Sequence, residues 1–196
     1  MSMKNKLTIL AAGVLLVCAT SYTLAAEVAG IKFDDSAKVA GKDLKLNGLG
    51  LRTKIVFKVY AAGLYLPEKS KNVAEIMKQE GPRRVTLVMM RDVSSEDFSA
   101  AYMKGLNDNV DAAEKSKIVS QLSKVGEMFA SMPGLKKGDV LTLDWVPGTG
   151  SVYTLNGKKI GETIPELDYY NAMLRIWLGN KPVDSSLKAA LLGDNK

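Results

Sequence analysis

The chain has 196 residues, 27 of them lysine or arginine and 21 aspartate or glutamate, with no histidine and a single cysteine. That inventory excludes histidine-based triads and the zinc sites that lean on histidine and cysteine, and it leaves Cys18 as the only possible thiol nucleophile. The net charge of +6 is mild and scattered, with no arginine-rich run and no basic–aromatic interleaving, so nucleic acid is not an expected partner.

Residues 1–26 read as a secretory signal peptide, with Lys4 and Lys6 ahead of an apolar stretch over 7–19 and a small-residue exit at Thr23-Leu24-Ala25-Ala26. A membrane span needs roughly 20 apolar residues, and this stretch is shorter. Cleavage fits equally after Ala25 or after Ala26. Cys18 leaves with the signal, so the mature chain uses no disulfide in a compartment that permits them. Loss of Lys4 and Lys6 leaves 25 basic and 21 acidic residues, a charge of +4. The expected location is periplasmic or secreted, with no stable membrane span after cleavage. The remaining 27–196 show no repeat, low-complexity segment or linker, and read as one domain large enough for its own core.

Along the chain, strands are expected over 27–33 and 42–47, then a longer strand over 55–66 that runs into Pro67. A short helix over 72–79 stops at Gly81, and 83–91 is a strand. Ser94 and Ser95 with Glu96 and Asp97 mark a helix start, because a serine oxygen caps free N–H groups and acids suit the first turn. That helix is expected to reach about residue 110. A second spans about 114–132, where Ile118, Leu122, Val125 and Phe129 keep helical spacing before Pro133-Gly134. Strands follow over 139–146, 151–155 and 158–163, the last two joined by Asn156-Gly157, a strong hairpin signal. Helices over 166–178 and 185–192 close on Gly179 and Gly193. Strands at both ends and helices in the middle predict an α+β domain, an antiparallel sheet covered on one face by helices.

Two polar groups in residues 48–66 (GLGLRTKIVFKVYAAGLYL) need a reason to be there. Arg52 follows apolar and glycine residues, and Tyr60 sits among Val59, Ala61 and Ala62. A guanidinium in such surroundings needs an acceptor, either a carboxylate of this chain or the head group of a ligand. On the helix from Ser95, Phe98, Tyr102, Gly105, Leu106 and Asn109 share a face, which puts a phenol and an amide on an otherwise apolar or small surface. Lys104 points to the opposite side. No glycine cluster has phosphate-loop spacing, and the acid pairs Asp34-Asp35 and Glu96-Asp97 read as solvated or capping groups. No metal or cofactor is expected.

The segments Leu46-Asn47-Gly48-Leu49-Gly50-Leu51-Arg52, Val59-Tyr60-Ala61-Ala62-Gly63-Leu64-Tyr65-Leu66, the Tyr102 to Asn109 helix, and Ile176-Trp177-Leu178-Gly179 with Leu187-Lys188 and Leu191-Leu192-Gly193 resemble, in order and spacing, a chalcone isomerase-like domain of the secreted bacterial kind. The resemblance implies an open-faced β-sandwich with a ligand cleft between a large antiparallel sheet and its helices. Relatives of this type are either isomerases that close a chalcone to a flavanone or fatty-acid binders without known turnover. The family's cleft arginine falls on Arg52. The position that is threonine in isomerases and tyrosine in fatty-acid binders falls on Tyr60. The isomerases' cleft tyrosine and asparagine fall on Tyr102 and Asn109, whereas their cleft lysine falls on Gly105, and a further polar position falls around Ala172-Met173. With that lysine and threonine lost, the resemblance implies binding rather than isomerisation.

The expected function is therefore binding of a small amphipathic or aromatic carboxylate, such as a fatty acid, by Arg52, Tyr60, Tyr102 and Asn109. The alternatives are an isomerase or lyase acting on a phenolic or enone substrate, and a structural domain in which Arg52 pairs with an acid of its own chain. One geometric obstacle stands against joint binding: on a straight strand, eight residues at ~3.3 Å each hold Arg52 and Tyr60 ~26 Å apart. They meet only if the chain bends near Thr53-Lys54 or the pairing is offset by a bulge.

Overall fold

The computed structural model describes residues 26–194. The expected signal peptide, with Cys18, lies outside the described residues apart from Ala26.

Strands β1 (Ala26–Val28) and β2 (Ile31–Phe33) form a small hairpin. Ala29 and Gly30 turn it, both at positive φ, which splits the single strand expected over 27–33. The main sheet has seven antiparallel strands in chain order: β3 (Ser36–Val39), β4 (Lys42–Lys54), β5 (Phe57–Leu66), β6 (Arg83–Met89), β7 (Val140–Val146), β8 (Gly150–Leu155) and β9 (Lys158–Ile164). Every strand pairs with its sequence neighbour, so the sheet is a meander. Helix α1 (Val73–Lys78) lies between β5 and β6. Between β6 and β7 come α2 (Ser95–Asn107), α3 (Ala112–Lys117) and α4 (Val119–Ala130), and α5 (Leu167–Leu178) and α6 (Ser185–Leu191) follow β9.

Local chemistry sets these boundaries. Ser94 accepts from the Asp97 N–H, as its place before two acids suggested. Asp111 and Glu114 form a reciprocal capping box that starts α3. That helix stops at Ile118, whose φ of −113° lies outside the helical range, so the one helix expected over 114–132 is two. Asn156 and Gly157, at φ 51° and 77°, make the expected hairpin turn.

The sheet separates two apolar layers. On the helix side, Ala62, Leu64, Leu87, Leu141 and Leu143 pack with Leu106, Val125, Phe129, Leu174 and Trp177. On the other, Leu46, Leu49, Ala61 and Tyr65 pack under Phe33 of the small hairpin. Gly63 makes room for that ring, since a Cβ there would stand 2.7 Å from Phe33 Cδ1. The result is an α+β open-faced sandwich. Helix α6 rests directly on β4, and two glycines of the Asn47-Gly48-Leu49-Gly50 run permit this. A Cβ at Gly48 would come within 2.1 Å of the Ala190 carbonyl oxygen, and one at Gly50 within 2.7 Å of Ala190 Cβ. Asn47 ties the same contact by donating to the Leu191 and Ser70 carbonyls and accepting from the Ser70 N–H.

Candidate functional site

The strand carrying Arg52 does not continue straight to Tyr60. It turns back at Ile55-Val56, so β4 and β5 are the arms of one tight hairpin in which Lys54 pairs with Phe57 and Arg52 with Tyr60. Val59 is the extra residue of a bulge, since the register steps from Arg52–Tyr60 to Thr53–Lys58. Directly opposite residues of an antiparallel pair share a face with their Cβ atoms about 5 Å apart. The separation expected of a straight strand thus collapses to that of cross-strand neighbours. The turn escaped the sequence reading because Ile-Val carries none of the usual Gly, Asn, Asp or Pro signals.

Tyr60 is buried, and its hydroxyl oxygen accepts from the indole N–H of Trp177 at 3.0 Å. Burial pushes its pKa up to about 12, so it is a proton donor at any physiological pH. No acceptor is bonded to the Tyr60 O–H among the described residues. Arg52, its side chain 23% exposed, donates through Nη1 to the Thr53 carbonyl at 2.7 Å. Among the described residues its one acidic neighbour is Asp184, whose Oδ2 lies 3.9 Å from Nη1. That carboxylate is largely engaged elsewhere: Oδ1 caps α6 by accepting from the Ser186 and Leu187 N–H groups, and Oδ2 accepts from the Thr53 N–H at 3.1 Å. Arg84 shows what a saturated arginine looks like in this fold, with Nε and Nη2 each 2.6 Å from Asp144 in a two-pronged fork. Arg52 has no such partner.

The other two expected ligand residues lie in internal networks. The Tyr102 hydroxyl is bonded to those of Tyr153, at 2.9 Å, and Tyr169, at 2.6 Å, and these two bond to each other. In this closed ring each phenol can donate once and accept once. Phe129 lies edge-on against Tyr102 and Tyr153. Burial raises the pKa of all three phenols. Asn109, just past the end of α2, donates to the carbonyls of Gly105 and Lys181 and accepts from the Lys181 N–H. It latches the turn after α5. Lys104 points outward and pairs with Asp108. At Gly105 a Cβ would stand 2.9 Å from Ile176 Cγ2 and 3.1 Å from Val183 Cγ1, so the place of the isomerases' lysine is filled by packing. Ala172 and Met173 are buried.

Two surface clefts lie elsewhere, at about 380 Å3 beside Glu114, Asn171 and Arg175 and about 530 Å3 beside Asn109, Lys181 and Lys188. Neither is lined by Arg52, Tyr60 or Tyr102. Trp177 and Asp184 complete the surroundings of Arg52 and Tyr60; the sequence offers Trp177 only within the family-like segment Ile176-Trp177-Leu178-Gly179 and gives neither residue a site role. Trp177 reads as one more apolar residue of α5, while Asp184 ahead of Ser185-Ser186 carries a helix-cap signal that gives no hint of an arginine partner.

Residues 25–193 match the family model described as chalcone isomerase-like, and the chain belongs to that family. The fold is also that of a solved structure, a fatty-acid binding protein of Arabidopsis thaliana, with a TM-score of 0.65 and 17% sequence identity. The match covers 83% of this chain and 92% of that one. No curated protein matches the sequence. Among the described residues no helix is long and apolar enough to cross a membrane.

Proposed function

We propose that the protein binds a small amphipathic carboxylate, a fatty acid being the simplest, with the head group received by Arg52 and Tyr60. One observation carries this reading. Two donors side by side on the β4–β5 hairpin retain capacity: among the described residues the Tyr60 O–H has no acceptor, and Arg52, beyond the Thr53 carbonyl that Nη1 reaches, faces a carboxylate 3.9 Å away that is already shared by three backbone N–H groups. A ligand carboxylate at that point would accept from both. The membership in the chalcone isomerase-like family and the likeness of fold to a fatty-acid binding protein support the same class of ligand. The apolar tail would enter between β5 and the helices. Tyr102 and Asn109 support this site from behind, the first by fixing α2 to β8 and α5, the second by fixing the turn that leads to α6. We place the mature protein in the periplasm or outside the cell. Cleavage after Ala25 rather than Ala26 leaves β1 whole.

The test is native mass spectrometry of the purified protein, with organic extraction of whatever is released, alongside Arg52→Ala. A co-purifying or added fatty acid that is lost in the variant supports the reading. A ligand-free mass with no uptake of added fatty acid sinks it.

A second reading takes the Arg52–Asp184 contact at face value, as an internal pair in a domain without a ligand. Arg52→Ala would then lower stability and change no bound mass. An isomerase has less support, because the lysine position is occupied by Gly105 packed against Ile176 and Val183.

A further inference from the structure

Four large apolar side chains stand exposed among the described residues, and three of them are consecutive at the tip of the β4–β5 hairpin. Ile55 is 88% exposed, Val56 76% and Phe57 56%; the fourth, Val119, lies apart at the start of α4. Scattered single apolar residues on a surface are ordinary, whereas three at one projecting point are not. The backbone adds a second, independent sign. Ile55 sits at φ 60°, a left-handed conformation disfavoured for β-branched side chains, in a two-residue turn whose first position glycine ordinarily takes. The chain thus keeps a bulky apolar group where turn chemistry asks for the opposite. The surroundings are basic. Lys54 and Lys58 flank the tip and are exposed, and the Arg91 guanidinium lies 5.2 Å from the centre of the Phe57 ring. The acid next to Arg91, Asp92, is engaged by Lys136 and the Lys137 N–H.

We propose that this tip is a docking point for an anionic lipid bilayer, with Ile55, Val56 and Phe57 entering the interface and Lys54, Lys58 and Arg91 resting against lipid phosphates. An apolar wedge ringed by cations matches the two layers of a membrane surface, hydrocarbon below and negative charge above. A protein partner would have to supply an apolar socket rimmed with acids, while a second copy of this tip would bring cation against cation. The inference stands whether or not a ligand binds at Arg52. If one does, Arg52 is three residues from Ile55, and the docked tip would hold the site next to the bilayer.

The test is flotation of the purified protein with phosphatidylglycerol–phosphatidylcholine vesicles and with pure phosphatidylcholine vesicles. It compares the full chain with I55G/V56S and with K54Q/K58Q. All three share residues 1–25, so any affinity from that segment cancels between them. The I55G/V56S change suits the turn, so its Tm should not fall. We expect it to lower partitioning onto anionic vesicles by about tenfold or more, and K54Q/K58Q to remove most of the preference for the anionic lipid. The proposal is overturned if the unmodified chain does not float with anionic vesicles, or if I55G/V56S floats as well as it does. A preference for anionic vesicles that survives K54Q/K58Q also overturns it. So does a dimer abolished by I55G/V56S without any vesicle binding, which would assign the tip to a second copy.

Discussion

Gly48 and Ala190 touch backbone to backbone. A single methyl at position 48 would stand 2.1 Å from the Ala190 carbonyl oxygen, with the Leu191 carbonyl 2.6 Å away, and neither neighbour is a side chain that can swing aside. Helix α6 and strand β4 therefore fit only while position 48 is glycine. Gly48→Ala should lower stability by about 1–3 kcal/mol, the usual cost of forcing extra volume into a packed contact. Urea unfolding checks this. A midpoint unchanged from the parent would mean that α6 does not rest on β4 as described.

Asp184 competes with any anion for Arg52. Asp184→Asn keeps one oxygen for the α6 cap but removes the negative charge and the acceptor used by the Thr53 N–H. It should cost about 1 kcal/mol of stability for that hydrogen bond. It should also tighten binding of an added fatty acid several-fold, because Arg52 no longer has an internal rival. Calorimetric titration separates the outcomes: weaker binding in this variant would contradict head-group recognition by Arg52.

Arg83 is fully buried and, among the described residues, has no carboxylate partner. Nη1 donates to the Ile76 carbonyl and to Asn171 Oδ1, the guanidinium stacks on the Tyr170 ring, and Nε and Nη2 have no partner among the described residues. Burial lowers its pKa from the usual arginine range. Asn171→Ala should thus be costly, at about 2–3 kcal/mol, since it strips a buried cation of its one side-chain acceptor. Combining it with Arg83→Met should recover part of the loss, with a coupling of about 1–2 kcal/mol in a double-mutant cycle. Strict additivity would show that the two residues do not act as a pair.

All six tyrosines among the described residues are buried, and burial raises the pKa of each; for Tyr60 and Tyr65 the value reaches about 12. Between pH 10 and 12 the folded state holds these protons while the unfolded chain releases them, so stability is fully present below 10 and falls as pH rises through that window. Tyr60, which is buried, contributes about 2–3 kcal/mol of this loss by itself, and Tyr60→Phe should flatten the slope accordingly. Phenolate absorbance should appear together with loss of the folded circular dichroism signal. Tyrosines that ionise near pH 10 in the intact fold would contradict their burial.

Legibility of the sequence followed the strength of local signals. Asn156-Gly157 and the Ser94 cap each have one strong local cause, and the structure has the turn and the helix start where those signals put them. Ile55-Val56 and Ile118 went unread for the opposite reason. A turn made of β-branched residues and a helix break at an isoleucine contradict local preference and exist because the surrounding pairings and packing impose them. The prominence of Arg52 and Tyr60 was legible as polar groups among apolar ones. Their meeting was not, because it depends on that unsignalled turn and on the bulge at Val59. The ring of Tyr102, Tyr153 and Tyr169 joins three elements distant in the chain, and only Tyr102 had a helical face to mark it.

The meander also bears on how the chain reaches this fold. Each strand of the main sheet pairs with its neighbour in strand order, but only β3–β4, β4–β5, β7–β8 and β8–β9 are joined by short turns; β6 and β7 are separated by α2, α3 and α4, a longer closure that comes at a greater entropic cost. The seat of α6 on β4 is longer-range still, since it brings residues near 190 back to residues near 48. That contact can form only once the whole chain is available, which makes it the closing step. A chain that lacked its last residues would keep every strand pairing of the sheet while leaving Gly48 and Gly50 of β4 uncovered.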